Sequence, residues 1–109
     1  MSQSQFSAPV VTLTPAPTLD RTYYVNHLHP GGVNRADDVR DELAGKGINV
    51  SRGLVLAGID APGVVPIGNA DVSVLDRTGS SFLVPLWVEG NLRVSTTIVD
   101  AHGTTTKVN

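Results

Sequence analysis

The chain has 109 residues, enough for one domain and too few for two domains with separate hydrophobic cores. Charged residues make up only 17% of it and the formal net charge is -2, so bulk electrostatics provides no attraction for a nucleic acid. The sequence contains no cysteine, which excludes a disulfide framework and a thiolate nucleophile, and no apolar run reaches the roughly 18 residues of a membrane helix. Valine (16) and threonine (10) far outnumber lysine and glutamate (2 each), a balance that favours strands.

The first part of the chain differs from the rest in composition. Residues 1–19 are rich in Ser, Gln, Pro and Thr and carry no charge, and their three prolines disfavour a helix. We therefore predict an extended N-terminal arm over 1–19, followed by one β-rich domain over 20–109. The apolar residues of the arm are predicted to bind a partner chain, with an edge strand added to a neighbouring sheet: Phe6, Val10, Val11 and Leu13.

The next segments predict a strand and then the chain's one helix. Residues 22–28 have the composition of a strand, and Pro30-Gly31-Gly32 predicts a turn after it. A helix over 35–44 is predicted from the apolar spacing of Ala36, Val39 and Leu43, with Asn34 as its N-cap. Glycines at 45 and 47 are typical of a helix end.

The remainder predicts short strands joined by turns. We expect strands over 54–59, 71–75, 82–88, 92–100 and 104–108, with hairpin turns at 76–79 and 89–91. The fold class predicted is mainly β (α+β): a small antiparallel β-sandwich or barrel with one short helix and the extended N-terminal arm.

Two histidines are the best candidate for a metal site. His27 and His29 lie two residues apart on a predicted strand and therefore point to one side of it. A third ligand would have to come from His102, Asp37 or Asp38. The pair resembles the start of a cupin metal motif, but that family has a glutamate where this chain has Asn34. The alternative is two polar side chains at a strand end, satisfied by backbone or solvent, and no metal or other cofactor is predicted.

Other candidate sites are weaker. Gly45-Lys46-Gly47 lacks the spacing of a phosphate-binding loop and follows the predicted helix, where the helix dipole disfavours an anion. The sequence has no G-x-S-x-G motif for a serine nucleophile. Trp87 is the sole tryptophan and is predicted to lie in the core, with a carbohydrate- or peptide-binding module around it as the alternative.

The uncharged arm, the weakly charged composition and the β-rich body together resemble the small structural proteins of tailed-phage virions, of the head-decoration (cement) or head-to-tail connector type. This resemblance implies a non-catalytic, homo-oligomeric subunit of the virion, assembled in the host cytoplasm, that binds itself and a major capsid or portal-type protein. Neither nucleic acid nor membrane is expected as a partner. The alternative functions are a small metal-dependent β-barrel enzyme using His27 and His29, or a binding module around Trp87.

Overall fold

A computed structural model describes residues 8–78 and 80–109 of the protein, and in these residues two sheets and two α-helices form the fold. The elements in chain order are β1 (Thr12–Leu13), β2 (Thr18–Tyr24), β3 (Asp38–Ala44), α1 (Lys46–Leu56), β4 (Gly63–Gly68), a 3-10 turn (Asn69–Asp71), α2 (Val74–Thr78), β5 (Leu83–Val88), β6 (Arg93–Val99) and β7 (Thr105–Val108). No helix within these described residues is long and apolar enough to cross a membrane.

The two sheets differ in strand direction. The three-stranded sheet has the order β1-β4-β5 and is parallel throughout. The four-stranded sheet has the order β3-β2-β6-β7; β2 and β6 are parallel, whereas β3 and β7 pair antiparallel with their neighbours. The prediction of a mainly β, α+β chain is confirmed. A sandwich or barrel is not confirmed, and antiparallel pairing is limited to two pairs of strands.

The helix predicted over 35–44 is wrong, because residues 38–44 form strand β3. All seven residues of β3 pair with β2, and this pairing places Leu43 beside Leu19 in the core. Burial of Leu43 against Leu19 across the sheet outweighs the helix-like spacing of the apolar residues. Intrinsic helix propensity determines the conformation only weakly when a buried strand partner is available. Asn34 caps no helix; its side chain instead closes a turn through bonds with the backbone of His29 and Gly32.

The longer helix, α1, begins beside Gly45 and Gly47, the two glycines that predict a helix end in the sequence. It buries Ile48 and Ser51, three residues apart on one face, and it includes the first part of the predicted strand 54–59, which is therefore wrong. Gly47 is required in its first turn. A Cβ atom there would lie 2.6 Å from Thr14 Oγ1 and 2.8 Å from the Leu13 carbonyl oxygen.

Two further segments also depart from the predictions. The strand predicted over 71–75 and the hairpin turn predicted over 76–79 are wrong, because residues 69–71 form the 3-10 turn and residues 74–78 form α2, where Val74 is buried. Residue 79 of the predicted turn lies outside the described residues. Residues 89–91 do not form the predicted hairpin turn, because the strands that they connect, β5 and β6, lie in different sheets. Strands β5, β6 and β7 do lie within the predicted segments 82–88, 92–100 and 104–108.

One core joins the two sheets and both helices. It consists of Leu19, Leu43, Ile48, Val65, Ile67, Val74 and Leu83. The structure also places the second half of the predicted arm inside the fold: β1 pairs with β4, and the start of β2 buries Thr18 and Leu19. Residues 1–7 of the arm lie outside the described residues.

Candidate functional site

A cleft of about 210 Å³ lies at the carboxyl edge of the parallel sheet, beside the first residues of β6. The three strands of this sheet run in one direction, so the segments that follow them meet at one edge. Ligands of open parallel sheets bind outside this edge. The cleft is lined by Pro15, Ala16, Pro17, Pro66, Gly68, Val88, Glu89, Asn91, Leu92 and Arg93.

The connection between β5 and β6 forms one wall of the cleft because it packs closely over the end of β4. A Cβ atom at Gly68 would lie 2.1 Å from the carbonyl oxygen of Gly90, so only glycine fits beneath this connection. The Leu92 N–H donates to Asp71 Oδ2 over 2.8 Å, which holds the connection in place. The exposed side chains of Glu89 and Arg93 therefore stand at the cleft on an anchored segment.

The N-terminus of α1 reaches the same edge of the parallel sheet. Thr14, directly after β1, donates its N–H to the Val64 carbonyl and accepts the Ile48 N–H on Oγ1 over 2.9 Å. Gly45 precedes the helix with φ 158°, near the limit of the region that favours glycine. In the described part of the chain, the N–H groups of Lys46 and Gly47 have no hydrogen-bond partner. Free N–H groups at a helix N-terminus attract anions.

The four-stranded sheet contributes a polar face next to the cleft. Thr18 and Asp20 share one face of β2, because alternate residues of a strand point to the same side. The Arg93 side chain, which lines the cleft, donates to Thr18 Oγ1 over 3.2 Å. Asp20 lies about 7 Å further along the strand. Within the described residues its carboxylate makes no hydrogen bond or ion pair, so its oxygens are available to a ligand.

The opposite face of the four-stranded sheet carries a carboxylate, Asp41 of β3, whose oxygens already accept hydrogen bonds. Asp41 accepts two hydrogen bonds from Arg21, of 2.8 and 3.0 Å, and another from Arg77 of α2. The hydrogen bonds from Arg21 hold the pKa of Asp41 below its ordinary value; those from Arg77 act in the same direction, and burial opposes them. The same pairing raises the pKa of Arg21. Asp41 therefore has a structural role, fastening α2 to the sheet.

The residues predicted to bind a partner chain lie in or near β1. Val10 is half-buried, whereas Val11 and Leu13 are 42% and 60% exposed. Phe6 lies outside the described residues. Partner binding by this segment stays a prediction.

His27 and His29 lie side by side, but no third metal ligand joins them within the part of the chain that the structure describes. The rings of His27 and His29 stack edge to face with centroids 4.6 Å apart, and both side chains are exposed. Residues 8–78 and 80–109 contain no cluster of three or more His, Cys, Asp or Glu side chains able to hold a metal ion. The metal-dependent enzyme proposed for this pair is not supported.

Trp87 is also not in the core as predicted. It lies on β5, an edge strand of the parallel sheet within the described residues, and 51% of it is exposed.

Sequence reasoning missed the residues at the carboxyl edge. The glycines beside Lys46 predict a helix end, where the dipole disfavours an anion. The structure places them at the beginning of α1, where the dipole favours an anion. Asp20 was not singled out. A sequence signal did exist for it: Asp20 is the first charged residue after the uncharged stretch 1–19.

Comparison with known proteins finds sugar-phosphate kinases. The chain is 43% identical over 68 residues to a 1-phosphofructokinase of Xanthomonas campestris pv. campestris, a match that covers 61% of this chain and 21% of that protein. It superposes on a candidate phosphofructokinase of Staphylococcus aureus with TM-score 0.78 and 25% identity, over 92% of this chain and 33% of the other. Escherichia coli phosphofructokinase-2, solved with fructose 6-phosphate, gives TM-score 0.74 and 26% identity, over 94% and 35%. No family model matches the chain.

These similarities overturn the prediction of a phage structural protein. The chain spans about a fifth of the curated relative and a third of the solved structures, and all of these bear the names of kinases. The predicted non-catalytic virion subunit, its capsid or portal partners and its location in a virion are therefore wrong. The error has a physical cause. A weakly charged, β-rich composition fits a protein whose surfaces bind capsid neighbours, but the same composition also fits a part of a larger α/β enzyme.

Proposed function

We propose that this chain forms the sugar-phosphate-binding part of a kinase that acts on a fructose phosphate. The single observation that carries this proposal is the 43% identity to a 1-phosphofructokinase, over a stretch longer than half of the chain. We place the substrate at the cleft on the carboxyl edge of the parallel sheet because Arg93 lines it. The α1 N-terminus is bonded to Thr14, next to the lining residue Pro15, and Asp20 lies two residues beyond Thr18, the partner of Arg93.

The anionic end of such a substrate fits the N-terminus of α1. The N–H groups of Lys46 and Gly47 are free of partners in the described chain, and the dipole of the 11-residue helix adds partial positive charge there. Arg93 brings a full positive charge to the same cleft. A phosphate group would be held there by charge-assisted hydrogen bonds.

The hydroxyl end of the substrate fits Asp20. A carboxylate accepts hydrogen bonds through both oxygens and therefore suits a sugar, which presents several O–H donors. Asp20 and Thr18 project from one face of β2, so the four-stranded sheet would cover a sugar that lies at the cleft. A buried sugar hydroxyl bonded to a carboxylate discriminates strongly against an analogue that lacks it.

In phosphoryl transfer the protein contributes positioning and electrostatic stabilisation more than covalent chemistry. The role proposed for this chain is thus to bind and orient the acceptor sugar phosphate. The carboxylate of Asp20 fixes the orientation of the ring, and the α1 N-terminus fixes the existing phosphate.

The test is a titration of the isotope-labelled chain with fructose 1-phosphate and, separately, with fructose 6-phosphate, followed by amide NMR at millimolar ligand. We expect shift changes at the α1 N-terminus and around Asp20, and weaker changes with fructose or inorganic phosphate alone. Asp20→Asn should reduce the affinity at least tenfold. The control is Asp37→Asn, an exposed carboxylate next to the far end of β2, beyond Tyr24.

Three results would overturn the proposal: no shift changes with either fructose phosphate, changes that spread over the whole surface, or an equal loss of affinity in the Asp20 and Asp37 variants.

A further inference from the structure

We propose that Asp41 and Arg77 are positioning residues for the candidate site. Their ion pair ties the four-stranded sheet to α2 and thereby holds Asp20 at a fixed separation from the N-terminus of α1. Neither side chain lines the cleft, so the pair acts on a ligand only through Asp20. This inference rests on the proposed function, because it requires one ligand to contact both Asp20 and α1.

In the described residues, the chain passes between the two sheets at one end of the four-stranded sheet. It enters β2 at Thr18, leaves β3 at Ala44 and enters β6 at Arg93. The strand registers place Thr18 beside both Ala44 and Arg93, so the three crossings lie on one line across the sheet, which we call the crossing line. A rotation about the crossing line would move every residue beyond it, Asp20 included.

Small rotations about the crossing line matter for Asp20. This residue lies two positions, about 7 Å, beyond the line along β2. A rotation of about 15° would therefore displace it by about 2 Å. Misplacing a substrate by about 1 Å can already cost about a hundredfold in rate. A contact that prevents the rotation therefore helps to define the site.

The ion pair between Asp41 and α2 is the tie placed farthest from the crossing line. Asp41 lies three residues, about 10 Å, beyond the line along β3. Within the described chain, the other polar tie to the sheet beyond the line comes from Arg52 of α1, which reaches Glu42 and the Leu43 carbonyl. Those two positions are only one or two residues beyond the line. The contact at Asp41 therefore resists rotation with the longest lever arm.

Both ends of this tie are firmly held. On the α2 side, Val74 belongs to the buried core and lies three residues before Arg77. On the sheet side, Arg21 donates two hydrogen bonds to Asp41, of 2.8 and 3.0 Å. Arg21 directly follows Asp20 in β2. The tie therefore reaches from the core, through α2, to the residue next to Asp20.

A ligand that bridges the two halves of the site should respond to this tie. A fructose phosphate carries hydroxyls and phosphate on one molecule, so binding of one end assists the other only if Asp20 and α1 are held at a matching separation. Inorganic phosphate needs the N-terminus of α1 alone. The ratio of the two affinities therefore reports on the tie, whereas a general loss of stability would not change that ratio.

The experiment compares two variants that each remove one arginine from an ion pair. Arg77→Gln breaks the tie but leaves Asp41 bonded to Arg21. Arg40→Gln is the matched control: Arg40 pairs with Asp38 at 3.0 Å, and both residues lie on β3, so their bond joins the sheet only to itself. Affinities for fructose 1-phosphate, fructose 6-phosphate and inorganic phosphate are measured by amide NMR.

In Arg77→Gln, the affinity for the fructose phosphate that the unmodified chain binds should fall about threefold to fivefold. The affinity for inorganic phosphate should stay unchanged, and Arg40→Gln should change neither. Arg77→Lys, which keeps the positive charge, should recover most of the lost affinity. Because the Arg77 side chain is 47% exposed, its ion pair adds little stability, and all three variants should remain folded.

A second measurement detects the rotation without a ligand. The chain contains no cysteine, so spin labels can be attached specifically at Leu56→Cys, at the end of α1, and at Lys107→Cys, on β7. Both native side chains are exposed. The distribution of distances between the labels, measured by pulsed electron paramagnetic resonance, should broaden in Arg77→Gln and not in Arg40→Gln.

The proposal is overturned if Arg77→Gln and Arg40→Gln show the same distance distribution. It is also overturned if Arg77→Gln weakens the binding of inorganic phosphate as much as that of the fructose phosphates. An unmodified chain that binds no fructose phosphate contradicts the proposed function, and with it the positioning of Asp20 for a sugar. A chain that binds a fructose phosphate but keeps its full affinity in Arg77→Gln contradicts this inference alone.

Discussion

Replacing each of two glycines of α1 by alanine should change the stability of the chain in opposite directions. Gly47 lies in the first turn against β1, and a Cβ atom there would stand 2.8 Å from the Leu13 carbonyl oxygen. Gly53 lies in the same helix, and a Cβ atom there would meet nothing within 4 Å. We therefore expect Gly53→Ala to stabilise the chain and Gly47→Ala to destabilise it.

The magnitudes follow from two opposing effects. Alanine in a helix interior is more favourable than glycine by about 0.5–1 kcal/mol, which both variants gain. Gly47→Ala also overpacks against a backbone atom, and overpacking costs about 1–3 kcal/mol. The free energy of unfolding should thus rise by about 0.7 kcal/mol for Gly53→Ala and fall by about 1 kcal/mol for Gly47→Ala.

Urea denaturation followed by far-UV circular dichroism measures both variants against the unmodified chain. For a domain of this size, 1 kcal/mol corresponds to about 4–8 °C in melting temperature, so thermal melts resolve the difference too. If both variants stabilise the chain equally, the α1 N-terminus does not pack on β1 as described, and the anion-binding end of the proposed site is lost with it.

Further predictions concern the core and the ion pairs. Asp41→Asn, which removes the acceptor of both Arg21 and Arg77, should lower the free energy of unfolding by about 1 kcal/mol at neutral pH, as measured by urea denaturation. Because the pKa of Asp41 in the folded chain lies below its ordinary value of 3.8, this contribution is complete above that pH and is lost as the pH falls below it. Acid titration should therefore bring the two proteins to similar stability; an unchanged gap at low pH would refute the role given to Asp41. Leu43→Ala, at a fully buried position, should cost about 2–5 kcal/mol, whereas Val39→Ala on the same strand, at a site 47% exposed, should cost less than about 1 kcal/mol. Equal losses would contradict the assignment of residues 38–44 to β3.

The sequence is informative where its pattern is local and regular. In β6, Val94, Thr96 and Ile98 alternate with polar residues, and residues 93–99 do form a strand, although burial does not alternate along it. The turn after it joins β6 to β7 as an antiparallel pair. Pro85 suits an edge position, and β5 pairs with β4 alone among the described strands.

Prediction failed where distant partners decide the conformation. The spacing of Val39 and Leu43 suits a helix locally, but Leu19 lies opposite Leu43 and makes the segment a strand. Gly47 has low helix propensity, yet it lies in the first turn of α1, where no larger residue fits beside Leu13 and Thr14. Neither partner can be identified from neighbouring residues.

The candidate site was missed for the same reason. Its residues come from widely separated parts of the chain: Arg93 bonds to Thr18, 75 positions away. Lys46 becomes a candidate for anion binding only once α1 is known to begin there. The topology of the sheets therefore had to be known before the site could be recognised.

The most direct measurement is the kinase activity of a graft in which all 109 residues replace the corresponding part of the Xanthomonas campestris 1-phosphofructokinase. ATP-dependent phosphorylation of fructose 1-phosphate should be retained with all 109 residues in place. It should fall at least a hundredfold in Asp20→Asn and stay within about twofold in Asp37→Asn, because only Asp20 stands beside the cleft. A folded graft that is inactive, or one in which Asp20→Asn remains fully active, would contradict the account.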